Sequence, residues 1–164
     1  KIKFGKLSKG QKIKAQFAFA LSTAPKYLIL DEPTANFDID FKQDFLNVIM
    51  QFMESGKKSV IIASHILDEL DRIVDYLIYL DKGELVYSGD IESFRDKYRI
   101  ISGESYKVKL LKQEDIIHAE DRKYGTKALV VNHGYSKYDG ALTVTVPTLE
   151  EFMYHYSKRG ESAI

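Results

Sequence analysis

The 164-residue chain contains no cysteine. That excludes a disulfide scaffold, a cysteine metal site and a thiol nucleophile. Its longest apolar runs are only five residues, as at residues 76–80. A membrane-spanning helix needs ~20, so the sequence predicts no bilayer crossing. Lys1, Lys3 and Lys6 are followed by no apolar core of signal-peptide length, and the expectation is a cytosolic protein. Acid is missing from residues 1–26, which hold seven lysines and leave net −7 on the other 138 residues of a chain with net charge zero. Such a basic start suits nucleic acid or phosphate, or is a helix with solvated lysines. Composition is otherwise that of a globular chain, 45% hydrophobic and 29% charged, about one domain's worth at ~100–200 residues per domain. There is no internal repeat and no low-complexity stretch.

Helix and strand signals alternate over residues 1–98. Ser8-Lys9-Gly10-Gln11 has the form of a capping box, and Ile13, Phe17, Ala20 and Leu21 continue it as a helical stripe ended by Pro25. Tyr27-Leu28-Ile29-Leu30 reads as a strand buried on both faces. Asp38 or Asp40 can cap a helix carrying Phe41, Phe45, Val48, Ile49 and Phe52 inward, closed by Gly56. Val60-Ile61-Ile62-Ala63 is a second buried strand. Ser64 is expected to cap a helix with Leu67, Leu70 and Val74 inward. Residues 76–80 form a third strand, turned by Lys82-Gly83 into Leu85-Val86-Tyr87, and a short helix ends near Tyr98. The pattern predicts an α/β fold with a parallel sheet. It lacks a first strand, so more of the sheet is expected upstream. After residues 100–103 the character changes. Residues 106–111 and 142–146 alternate, residues 128–131 are β-rich, and Tyr124-Gly125 and Asp139-Gly140 mark turns. Thr148 and Glu151 form a capping box for a last helix. Residues 99–164 thus read as a small α+β appendage.

Four segments could carry chemistry. Gly10 permits close backbone approach, and Ser8, Lys9 and the N–H groups of the helix behind them suit a phosphate; equally, Ser8 and Gln11 simply cap that helix. Asp31 and Glu32 emerge at the carboxyl end of a strand, where open α/β sheets bind ligands. One acid there can hold Mg²⁺ while the other positions a water; the plainer alternative is a strand ending in solvated acids. His65 follows a second strand and could meet a phosphate or serve structure alone. His118, His133 and His155 read as structural or surface residues.

In this order and at these intervals the segments resemble the second half of the nucleotide-binding domain of ATP-binding-cassette (ABC) transporters, a P-loop NTPase fold. Leu7-Ser8-Lys9-Gly10-Gln11 is similar to the signature loop LSGGQ, with Lys9 in place of its first glycine. Residues 27–31 resemble Walker B, Glu32 the catalytic glutamate, Ala35-Asn36-Phe37-Asp38 the D-loop, and His65 the switch histidine. The resemblance covers about residues 1–98. Residues 99–164 resemble, more loosely, the accessory tail of exporter-type subunits. It implies ATP and Mg²⁺ as ligands. Asp31 would hold Mg²⁺ mainly through water, Glu32 would act as general base, and His65 would bridge Glu32 and the γ-phosphate. Ser8, Lys9, Gly10 and Gln11 would face ATP bound to an opposing subunit in a head-to-tail dimer, and Asp38 would couple the two sites. It also implies separate transmembrane permease subunits as partners and a peripheral place at the inner face of the cell membrane.

No G-x-x-x-x-G-K-[ST] loop occurs in these 164 residues, and the glutamine loop is absent too. The expectation is therefore a fragment whose Walker A half precedes Lys1, inactive by itself and prone to self-association. A soluble ABC ATPase unconnected to transport and a non-catalytic regulatory module are the alternatives. Nucleic-acid binding finds no aromatic platform or recognised motif.

Overall fold

The structure is a computed structural model that describes residues 3–34, 37–67, 70–135 and 142–160, with the backbone alone at 39 and 40. The expected D-loop residues Ala35 and Asn36, the turn at Asp139-Gly140 and the alternative cap side chain of Asp40 lie outside that description. The chain forms two compact units, Lys1–Ile73 and Val74–Ile164. The sequence pattern puts a domain boundary at residue 98; the division by packing falls after Ile73.

In the first unit, α1 (Lys9–Ser22) opens on the expected capping box. β1 (Tyr27–Asp31), α2 (Ile39–Met53) and β2 (Ser59–Ala63) come next. β1 and β2 pair in parallel, with Asp31 opposite Ala63. Asp38 caps α2 by accepting the Phe41 N–H at 2.8 Å. Gly56 ends the helical segment with φ +65°, its N–H donating to the Met53 carbonyl. The core gathers Leu28, Phe45, Leu46, Ile49, Phe52 and Leu70, with Phe17, Leu30, Val60 and Ile62 packed against it. Leu46 belongs to this face although the expected stripe omitted it.

Two expectations for this unit fail. The strands are not buried on both faces: Leu28 is 4% exposed, but its neighbour Ile29 is 74% exposed, and Tyr27 and Ile61 are exposed with it. Side chains alternate along a strand, and among the described residues only the helix side of this pair carries a covering layer. The helix expected after Ser64 does not form among the described residues of that segment, 64–67 and 70–74. Among the described residues, a 3₁₀ turn at Leu70–Arg72 is the helical structure that follows, and the Ser64 hydroxyl accepts the Ile66 N–H at 3.1 Å in a local turn.

In the second unit, β3 (Tyr76–Asp81) and β4 (Glu84–Asp90) make an antiparallel hairpin. Among the described residues β3 pairs with β4 alone, where the sequence suggested a further strand of the parallel sheet. Lys82 and Gly83 turn the hairpin with φ +50° and +82°. After α3 (Ile91–Lys97) come β5 (Tyr98–Gly103), α4 (Ser105–Val108), β6 (Ile116–Arg122), β7 (Gly125–Val131), β8 (Leu142–Thr145) and α5 (Leu149–Ser157). Four of the strands form one antiparallel sheet, ordered β6-β7-β5-β8. β5 and β6 carry no clear strand signal in the sequence. β5 lies in the sheet interior and shows no clean alternation, while β6 ends in the polar run Glu120-Asp121-Arg122. The alternation at residues 106–111 does not make a strand. Val108 and Leu111, three apart, are buried by a single helical turn, leaving Tyr106 and Leu110 exposed. Gly125 (φ +135°) is required at its turn, since a Cβ there would lie 2.2 Å from the Gly103 carbonyl oxygen. α5 keeps its expected capping box between Thr148 and Glu151. Its Phe152 sits among the rings of Tyr79, Phe94, Tyr98 and Tyr156 at 4.7–5.3 Å.

Candidate functional site

Because β1 and β2 run parallel and end level with one another, the residues just past them emerge side by side. Glu32 succeeds Asp31 with φ +45°, a conformation that costs about 1–2 kcal/mol for a residue with a side chain. Its N–H is tied to the Ala63 carbonyl at 2.8 Å. Its carboxylate meets the first two residues past β2: His65 Nδ1 lies 2.6 Å from Oε1, and the Ser64 hydroxyl donates to Oε2 at 3.3 Å. The expected pairing of Glu32 and His65 is therefore present, across 33 residues of sequence. The hydrogen bond from His65 holds the Glu32 carboxyl below its ordinary value, against some burial and with help from Ser64. The contact thus favours the ionised carboxylate and fixes its orientation, the form in which such a group can accept a proton.

Asp31 is exposed at the end of β1. Among the described residues no group of three metal-ligating side chains occurs. Mg²⁺ does not need one: it keeps several waters and takes one or two carboxylates plus substrate phosphates. A single exposed acid next to Glu32 fits that donor set.

Ser8 and Gln11 are engaged with each other. The Gln11 N–H donates to Ser8 Oγ at 3.2 Å and the Ser8 N–H to Gln11 Oε1 at 3.0 Å. Lys9 and Gly10 form the first turn of α1, where unpaired N–H groups and the helix dipole favour an anion. Among the described residues no hydrogen bond or ion pair joins Ser8, Lys9, Gly10 or Gln11 to Glu32 or His65. Asp38 belongs to the start of α2. Its carboxyl is held low first by the Phe41 N–H and then by Lys14, whose Nζ is 3.5 Å away and also lies 3.9 Å over the Phe41 ring. The structure thus brings Glu32 and His65 together and leaves the signature-like residues and Asp38 on neighbouring elements. Sequence reasoning missed Ser64 as a partner of Glu32. The signal is a hydroxyl residue beside His65, which by sequence alone reads as a helix cap.

No family model matches the chain. Among curated proteins it is 40% identical over 82 residues to an ABC transporter ATP-binding protein of Mycoplasma pneumoniae, covering 50% of this chain and 25% of that protein. It is 39% identical over 95 residues to the energy-coupling factor transporter ATP-binding protein EcfA2 of Caldanaerobacter subterraneus, covering 57% and 33%. It is 34% identical over 95 residues to the ABC transporter ATP-binding protein NatA of Bacillus subtilis, covering 58% and 38%. The chain therefore spans a quarter to two-fifths of the length of these relatives. A solved structure of cbiO1 from Clostridium perfringens, described as part of the ABC transporter complex cbiONQ, is 30% identical with a TM-score of 0.47, covering 57% of this chain and 38% of that one.

Proposed function

Over about half its length this chain is related to ATP-binding proteins of ABC transporters, and from that premise we propose that it supplies the water-activating side of an ATP-hydrolysing site. The observation that carries the reading is the Glu32 carboxylate, paired with His65 at the level ends of two parallel strands. Bound ATP with Mg²⁺ would supply the electrophilic γ-phosphorus. Asp31 would hold the metal, mainly through water. Glu32 accepts the proton of the attacking water, and the electron pair of the cleaved bond leaves with ADP. His65 keeps Glu32 oriented and faces the γ-phosphate. Ser8 and Gly10, with Lys9 and Gln11, address ATP held by a second subunit in a head-to-tail dimer, which accounts for the lysine-rich start. Asp38 couples the two sites across the dimer.

On the same reading, residues 1–98 are the later part of a nucleotide-binding domain and residues 99–164 an accessory domain. Transmembrane permease subunits are the partners, and the protein is peripheral to the membrane. Among the described residues no helix is long and apolar enough to cross a membrane. Export as the direction rests on the tail alone; one relative is named a molybdenum import ATP-binding protein. Intact Asp31, Glu32 and His65 speak against a purely regulatory role.

The test is ATP turnover. We expect the 164-residue chain to hydrolyse no ATP, since it carries no phosphate-cradling loop. In a longer protein that joins this segment to such a loop, Glu32→Gln should leave ATP binding intact and abolish turnover. Steady-state phosphate release at the wild-type rate in that variant removes Glu32 from its role.

A further inference from the structure

Glu32 is gripped at three points by three consecutive residues. Its N–H meets the Ala63 carbonyl at 2.8 Å, its Oε2 the Ser64 hydroxyl at 3.3 Å, and its Oε1 His65 Nδ1 at 2.6 Å. One hydrogen bond fixes one oxygen but lets a carboxylate swing about that contact. A second, to the other oxygen, sets the plane. The backbone contact fixes the root of the side chain, which matters at a residue with φ +45°, where a local alternative conformation is always close in energy.

Ser64 is suited to the second contact. Its oxygen accepts the Ile66 N–H at 3.1 Å, which holds the side chain in place. Its single proton then has two acceptors in reach, Glu32 Oε2 at 3.3 Å and the Ile66 carbonyl at 3.2 Å. An ionised carboxylate is the stronger acceptor of the two.

We propose that Ser64 is a positioning residue for Glu32: with His65 on the other oxygen, it sets the plane in which the carboxylate meets the attacking water. This rests on the ATPase reading above. Ser64 acts through Glu32 and needs no contact of its own with water or nucleotide.

The proposal is tested in two ways that fail separately. In the 164-residue chain labelled with ¹³C-glutamate, at pH 7 and without nucleotide, Ser64→Ala should shift and broaden the Glu32 carboxyl signal, and Ser64→Thr should retain it. An unmoved Glu32 signal in folded Ser64→Ala overturns the proposal. If Ser64→Ala loses the amide spectrum of the folded chain, Ser64→Cys, similar in size and a weaker donor, takes its place with the same two outcomes. In the longer ATP-hydrolysing protein, Ser64→Ala should lower kcat ~10-fold or more, as a misplaced catalytic group does. KM for ATP should stay within about twofold, since uniform binding is untouched, and Ser64→Thr should recover kcat. A change in KM alone, or no change, overturns it. If instead Glu32→Gln keeps full turnover, the ATPase reading falls, while the carboxyl signal still reports whether Ser64 holds Glu32.

Discussion

Single residues with positive φ punctuate this chain, and each reflects a different demand. Glu32 takes φ +45° so that its side chain can turn back toward the end of β2. Lys82 takes φ +50° for a plainer reason: it shares a two-residue hairpin turn with Gly83 at φ +82°. Positive φ at both central positions is the tight hairpin turn that favours Asn-Gly. Lys82→Asn should therefore stabilise the second unit by ~0.5–1 kcal/mol, the usual gain from a better-suited turn residue. Thermal unfolding of the variant beside the wild type checks this; a lowered midpoint would show that the Lys82 side chain does something the turn itself does not need.

At the scale of elements, α5 shows how a short helix is held by what it packs on. Nine residues cannot form a stable helix alone. Thr148 and Glu151 satisfy its first N–H groups, Lys127 of β7 reaches Glu151 at 2.5 Å, and Phe152, 1% exposed, fills the aromatic cluster. Phe152→Ala would leave a cavity among the flanking rings and should cost ~3–5 kcal/mol, as large buried aromatics do. Urea unfolding followed by tyrosine fluorescence measures it. A cost below ~1 kcal/mol would mean that the cluster closes around the gap. α1 is the opposite case. None of its residues is fully buried, so its place depends on a partial stripe and its cap; the Lys14–Asp38 pair is exposed and contributes little.

Two predictions belong to the whole molecule. His118 and His155 face each other Nδ1 to Nδ1 at 2.8 Å between β6 and α5, and burial, then His118, pushes the His155 imidazole down to about 4. Lys127 and Arg122 act in the same direction and Glu120 against it. The folded chain thus keeps His155 neutral where the unfolded chain, titrating near ~6.5, takes a proton. Stability from this residue is fully present above about 6.5. It falls as pH drops from there toward 4, and then levels off after a loss of about 3 kcal/mol. The urea midpoint of the second unit should track that course, and His155→Leu should flatten it. A pH-independent midpoint between about 4 and 6.5 would contradict the arrangement. The second prediction concerns surface. Ile29, Ile61 and Tyr27 in one unit, and Ile78, Leu80 and Leu85 in the other, are exposed apolar side chains on strands, and such surface drives association. The chain should self-associate, with scattering mass rising with concentration and falling in an Ile29→Lys, Ile78→Lys double variant. A mass of one chain throughout would exclude it.

By itself the sequence determined what is local in this protein. Caps, turns and strand runs are written in neighbouring residues, so the boxes at Ser8 and Thr148, the cap at Asp38, the strands β1 to β4 and the Lys82-Gly83 turn were legible. So, through motif order, were Glu32 and His65 as partners. Whatever depends on covering layers and distant pairing was decided only by the tertiary structure. The open face of β1 and β2 results from which helices are present to cover it. β5 hides its identity because successive residues on opposite faces, Ile100 and Ile101, are both buried, and residues 106–111 alternate yet form a helical turn because only Val108 and Leu111 find a core. Ser64 is the sharpest instance: its hydroxyl had a local use in any reading, and only the parallel register of β1 and β2 brought Glu32 within its reach.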